Sequence, residues 1–95
     1  MKSFPNQTTE VKDGEKNFKY SDLLKIVLMV HPQGGYSIAD MKTRLKLTEV
    51  LENADGEISF EDADYNYFKP LVNAMKWNGM HKDLITLTDD FNNAK

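Results

Sequence analysis

From Tyr20 to the end of the chain, apolar residues recur every three to four positions, whereas the first seventeen residues show no such period. That spacing puts side chains on one helical face, and it predicts four helices, near 20–30, 38–53, 60–78 and 82–93. In the first, Leu23, Leu24, Val27 and Leu28 form a face that Ile26, Met29 and Val30 widen almost all round. Such a helix belongs at the centre of its domain. Ser21 is its expected N-cap, Asp22 suits the positive end of its dipole, and His31-Pro32 with Gly34-Gly35 ends it. The second helix offers two apolar sides, Ile38, Met41, Leu45 and Thr48 on one, and Leu47, Val50, Leu51 and Ala54 on the other. In the third, Tyr67, Phe68, Leu71, Val72 and Met75 keep phase across Pro70, which predicts one kinked helix rather than two. Leu84, Leu87 and Phe91 mark the last.

Residues 1–17, MKSFPNQTTEVKDGEKN, are polar and turn-rich. They are expected to form a disordered, mobile N-terminal arm beside a single helical domain at 18–95. Two segments echo one another: Gly34-Gly-Tyr-Ser-Ile-Ala-Asp40 and Gly56-Glu-Ile-Ser-Phe-Glu-Asp62. Each reads as a turn, a short extended piece and a serine-capped helix start, with Ser37 and Ser59 as caps. The extended pieces, about 36–38 and 58–60, are expected to pair as a tiny two-stranded ribbon. The predicted fold is therefore an all-α, four-helix small domain. Its expected core is Leu24, Val27, Leu28, Met41, Leu45, Phe60, Phe68, Leu71, Val72, Met75 and Leu84.

Composition narrows the chemistry. The chain has no cysteine, which removes disulfides, thiolate metal sites and cysteine nucleophiles. The longest apolar run, Ile26 to Val30, falls far short of the roughly 20 residues that span a bilayer. With no apolar signal core at the N-terminus, a cytoplasmic protein without membrane contact is expected. The net charge is −3, and the acids concentrate after residue 54, where eight of them face four lysines. Nucleic-acid binding draws on neutralised phosphates, so this balance argues against it.

One stretch resembles a metal motif. With Gly56 at the sixth position of an EF-hand loop, Asn53, Asp55, Ile58 and Ser59 fall on the third, fifth, eighth and ninth. The first position is then Leu51, which has no side-chain oxygen, and the twelfth is Asp62, one carbon shorter than the usual glutamate. A divergent calcium binder is thus the weaker alternative, and the echo is read as structural punctuation. His31 and His81 make a poor zinc pair, fifty residues apart with no third histidine. Glu61, Asp62 and Asp64 gather at a helix start, where the dipole explains them. No phosphate-cradling loop or nucleophile elbow occurs. The sequence points to no enzyme, no cofactor and no resident metal.

Two binding classes remain. A winged-helix-like DNA-binding regulator would split residues 37–54 into helix, turn and helix, with Lys42, Arg44 and Lys46 as contacts. Its recognition segment, Thr48-Glu-Val-Leu-Glu-Asn-Ala54, carries two glutamates and no lysine or arginine, unlike groove-reading helices. A protein–protein interaction module is the preferred reading, with Leu47, Val50, Trp77 and Met80 as the expected partner surface. Its partner is another protein or a second copy of the chain. The stretch ISFEDADYNYFKPLVNAMKW, in a cysteine-free chain rich in Asn, Asp and Met, resembles the small accessory proteins of tailed bacteriophages and prophages. That resemblance implies an inhibitor or adaptor acting on a host or assembly component. It is one of composition across the C-terminal two-thirds, and transfers no functional residue.

Overall fold

The aperiodic N-terminal segment is built into the body of the protein. In the computed structural model, which describes residues 1–95, the element order is β1 (Lys2–Pro5), β2 (Thr8–Asp13), β3 (Lys16–Lys19), α1 (Tyr20–Met29), α2 (Ile38–Glu52), β4 (Glu57–Phe60), α3 (Asp62–Ala74) and α4 (Lys82–Asn92). The expectation of an all-α domain with a disordered arm is therefore corrected to a mixed α/β domain with two antiparallel two-stranded sheets. The four helices fall close to their predicted places. The third is shorter than expected, since it begins after β4 and ends at Ala74.

The ribbon partner is also corrected. Residues 58–60 are extended, but they pair with the N-terminus instead of with 36–38. Lys2 lies opposite Phe60, Ser3 opposite Ser59 and Phe4 opposite Ile58. The period-two alternation of a strand turns Phe4, Ile58 and Phe60 into the core. On the opposite face, the Ser3 and Ser59 hydroxyls bond across the strands at 2.7 Å. Ser59 is thus a strand residue, not the cap of α3. Lys95 covers the other side of β1, since Ser3 and Lys95 exchange both backbone hydrogen bonds, at 2.9 and 3.0 Å. A four-residue strand would be marginal alone, and these flanks hold it.

The arm also supplies the start of α1. Asn6 Oδ1 accepts from the Ser21 amide, and its Nδ2 donates to Ser21 Oγ and to the Asp55 carbonyl. The Tyr20 amide donates to the Gln7 carbonyl at 2.9 Å. Ser21 is consequently a buried residue of the first turn, and the capping expected of it comes from Asn6. Asp22 accepts from the Lys19 amide at 2.9 Å. Ser37 does cap α2, accepting from the Asp40 amide at 3.0 Å. Hairpin β2–β3 turns through Gly14, whose φ of 64° suits glycine.

At its C-terminus α1 leaves carbonyls without helical partners. Arg44 meets two of them: its Nη1 donates to the carbonyls of Leu28 and Val30 at 2.9 and 3.2 Å. The guanidinium also lies over the Tyr36 ring, 5.0 Å from its centre. This contact turns α2 so that Arg44, Leu47 and Leu51 face inward. The expected core members Met41 and Leu45 are on the outside, with Leu45 65% exposed and Leu47 fully buried. The sequence offered two apolar stripes on α2, and the arginine needed by α1 lies on the one that is buried. Leu71, Met75 and Leu84 pack against the core only in part. Buried residues missing from the expected core include Phe4, Tyr20, Ile58, Tyr65 and Phe91.

Two buried tyrosines tie the helices together. Tyr20 donates to Asp90 Oδ2 at 2.8 Å, and burial, aided by that bond and the carboxylate charge, raises its phenol far above the ordinary range. Tyr65 donates to the Phe91 carbonyl at 2.7 Å and stacks on the Phe91 ring.

Two stability measurements check this architecture. Leu47→Ala should cost about 2–5 kcal/mol in denaturant unfolding, as for a fully buried leucine, while Leu45→Ala should cost less than about 0.5 kcal/mol. The reverse order would put the other stripe of α2 inside. Phe4→Ala should cost about 3–5 kcal/mol, because its ring is buried against Phe60 and Phe91. A loss below about 0.5 kcal/mol would mean that the N-terminal segment is not docked.

Candidate functional site

Short loops on a small domain leave hollows where elements of different length meet. An apolar one lies between hairpin β2–β3, α1 and the connection from α3 to α4. It is a groove of about 410 Å³ whose walls include Val11, Phe18, Ile26, Met75, Trp77 and Leu84. That volume lies within the usual range for ligand and peptide pockets. Two hollows of about 530 and 220 Å³ adjoin it, and Trp77 and Leu84 border all three. The connection owes its shape to Asn78-Gly79, which stops the chain between helices and leaves Met80 at 102% exposure. Ile85, on the first turns of α4, is also exposed. Trp77 is half-buried and is the only tryptophan.

Three lysines stand along the rim, and the exposed Glu10 marks one end of the groove. Lys12 and Lys76 border the main groove and Lys82 the adjoining hollow. All three are exposed, and none takes part in the ion pairs of the protein, which involve Lys25, Lys46, His81 and the N-terminal amine.

At one end of the groove, Glu10 of β2 approaches the start of α4. His81 is the N-cap there, its Nδ1 accepting from the Asp83 amide at 3.1 Å. Asp83 Oδ2 accepts from the Glu10 amide at 2.8 Å, which fastens the hairpin to α4. One nitrogen of His81 and one carboxylate oxygen each of Glu10 and Asp83 lie within 4.8 Å of one another.

The residues singled out from the sequence are distributed as follows. Trp77 and Met80 line the same groove. Leu47 is fully buried and Val50 half-buried against the core, so Leu47 cannot contribute to an accessible surface. Both lie on the side of α2 that packs on the core. Exposed Met29, Met41 and Leu45 instead line a second apolar hollow beside Tyr36.

The three cations of the DNA-binding reading do not form a patch. Lys42 is exposed, Arg44 is buried at the end of α1, and Lys46 pairs with Asp64 and Glu61 at 3.0 and 3.5 Å. The hydrogen bond to Asp64 and the two negative charges hold the Lys46 ammonium above the usual lysine range. Moreover, α2 runs unbroken through Lys46 and Leu47, so the helix-turn-helix split is corrected to one continuous helix.

Around the EF-hand-like stretch, Ile58 points into the core and Ser59 is bound to Ser3. The Asp62 carboxylate pairs with the N-terminal amine at 2.9 Å. The two histidines are in different places, with His31 packed on the Tyr36 ring and His81 at the start of α4. Sequence spacing could not reveal the cluster of Glu10, His81 and Asp83, because its members are brought together from the two ends of the chain.

The placement of the cations yields a measurable expectation. In anisotropy titrations with random duplex DNA at low salt, the protein should show no micromolar, steeply salt-dependent binding. Such binding, lost on Lys42→Glu, would reinstate the nucleic-acid reading. No helix is long and apolar enough to cross a membrane. The chain matches no protein-family model, and no similar curated protein or solved structure was found.

Proposed function

We propose that this protein is a non-enzymatic protein–protein interaction module acting in the cytoplasm. It docks an acidic, amphipathic peptide segment of its partner in the groove around Trp77. The observation that carries the reading is the junction of three hollows at Trp77, beside the fully exposed Met80. Aromatic anchors in concave apolar surfaces dominate binding energy at interfaces, and methionine adapts its shape to an incoming side chain. The unpaired lysines at the rim add selectivity. On a chain of net charge −3, they favour a segment with carboxylates beside its apolar anchors, and electrostatic complementarity of this kind sets orientation and association rate.

The role follows the accessory-protein resemblance: an adaptor or inhibitor that captures a short segment of a host or assembly component. No proton-transfer pair, nucleophile or phosphate cradle enters this reading. The second apolar patch, around Met41 and Leu45, lacks both the tryptophan and the lysine rim, and so ranks below the groove.

Selection of displayed random peptides on the full chain tests the proposal. Enriched peptides should combine large apolar residues with Asp or Glu, and their binding should shift the emission of Trp77. Met80→Asp should weaken a selected peptide about 30-fold, the equivalent of a 2 kcal/mol hot spot. Lys76→Glu should weaken it less, and Leu45→Asp should have no effect. Enrichment of basic peptides, or sensitivity to Leu45→Asp but not Met80→Asp, would overturn the reading.

A further inference from the structure

We propose that Glu10, His81 and Asp83 form a binding site for a divalent transition-metal ion of the zinc type, bridging hairpin β2–β3 and the start of α4. Three observations converge. One ligand atom from each side chain lies within 4.8 Å of the others. Neither carboxylate is neutralised by a lysine or arginine; the ion pairing of Asp83 is limited to His81, whose Nδ1 is 3.8 Å from Asp83 Oδ2. The geometry is also held by the backbone, since the Glu10 amide donates to Asp83 Oδ2 at 2.8 Å. Hydrogen bonds of that sort orient ligating carboxylates in metal sites.

Ligand atoms around a tetrahedral zinc, at bonds of about 2.0–2.2 Å, lie about 3.4 Å apart. The His81 Nδ1–Asp83 Oδ2 pair, at 3.8 Å, is already near that value, and Glu10 is exposed on its strand, so its side chain has room to turn toward them. One imidazole and two carboxylates give a formal charge of −2, which balances the ion. The start of α4 opposes a cation with the equivalent of about half a positive charge, and the two carboxylates outweigh it. The donor set selects zinc over magnesium, because imidazole is a good ligand for zinc and magnesium requires near-octahedral oxygen.

Metal at Nδ1 would take the lone pair that now accepts from the Asp83 amide, so ion binding exchanges a cap hydrogen bond for a coordinate bond. Three protein ligands leave at least one coordination position for water or another donor. Glu10 and His81 also line the groove, so that position lies at its end. The proposal does not depend on the groove being a docking site.

Isothermal titration of the full chain with zinc chloride alone tests it. Saturable one-to-one binding is expected, with the amide signals of Glu10, Val11 and Asp83 moving and magnesium chloride producing no response. Glu10→Gln preserves shape and removes one donor. His81→Asn preserves a good N-cap and removes the imidazole. Each should weaken zinc at least about tenfold while leaving the melting temperature of the metal-free protein near that of the parent. His31→Gln should leave the affinity unchanged. Absence of zinc binding, undiminished binding in Glu10→Gln and His81→Asn, or loss of binding in His31→Gln would overturn the assignment.

Discussion

The ring of Phe91 is the contact around which the other elements are arranged. It is fully buried and lies against Phe4, Phe60, Tyr65 and Phe68, with ring centres between 4.9 and 6.3 Å away. Those partners come from β1, β4 and α3, while Phe91 belongs to α4. One side chain near the end of the chain therefore joins the first strand, the internal strand and two helices. The edge-to-face and stacked arrangements add to the area removed from water. In a 95-residue domain, where the core is small relative to the surface, a cluster of five aromatic rings supplies much of the cohesion.

Polar contacts then determine how the helices meet this cluster. Asn6 and Gln7 satisfy the first amides of α1, and Arg44 satisfies two of its last carbonyls. Helix α1 caps only the Lys19 amide with its own side chain, through Asp22, and has no basic residue in its last turn. Its ends are served by segments on either side in sequence, which makes its position depend on both. The same requirement fixes the rotation of α2. A guanidinium can satisfy carbonyls beneath a protein surface only if the helix carrying it turns that face inward, and Leu47 and Leu51 follow it. The stripe containing Ile38, Met41 and Leu45 is left outside as a consequence.

The groove at Trp77 follows from the same arrangement. The hairpin lies over α1 and reaches α4 through the bond from the Glu10 amide to Asp83. The connection after α3 passes between them without filling the space. Tertiary contact there brings together an apolar hollow, three free lysines and a histidine with two carboxylates. All belong to segments that look ordinary when read separately: a polar arm, a turn and a helix start.

The sequence by itself determined the local structure wherever neighbouring residues decide it. The four helices, the break at Gly34-Gly35, the Ser37 cap and the passage of α3 through Pro70 are consequences of periodicity and short-range hydrogen bonding. It also singled out Trp77 and Met80, which the fold places together on the wall of the groove, Met80 fully exposed. Only the tertiary structure decided the rest. A strand of four residues is stabilised by partners distant in sequence, so Lys2–Pro5 had no local signature and its pairing with Glu57–Phe60 was invisible. Two apolar stripes on α2 were equivalent until Arg44 met the end of α1. Glu10 and His81 became neighbours only when the hairpin packed on α4. In each case the deciding energy lies in a contact between residues far apart along the chain, which no window of neighbouring residues contains.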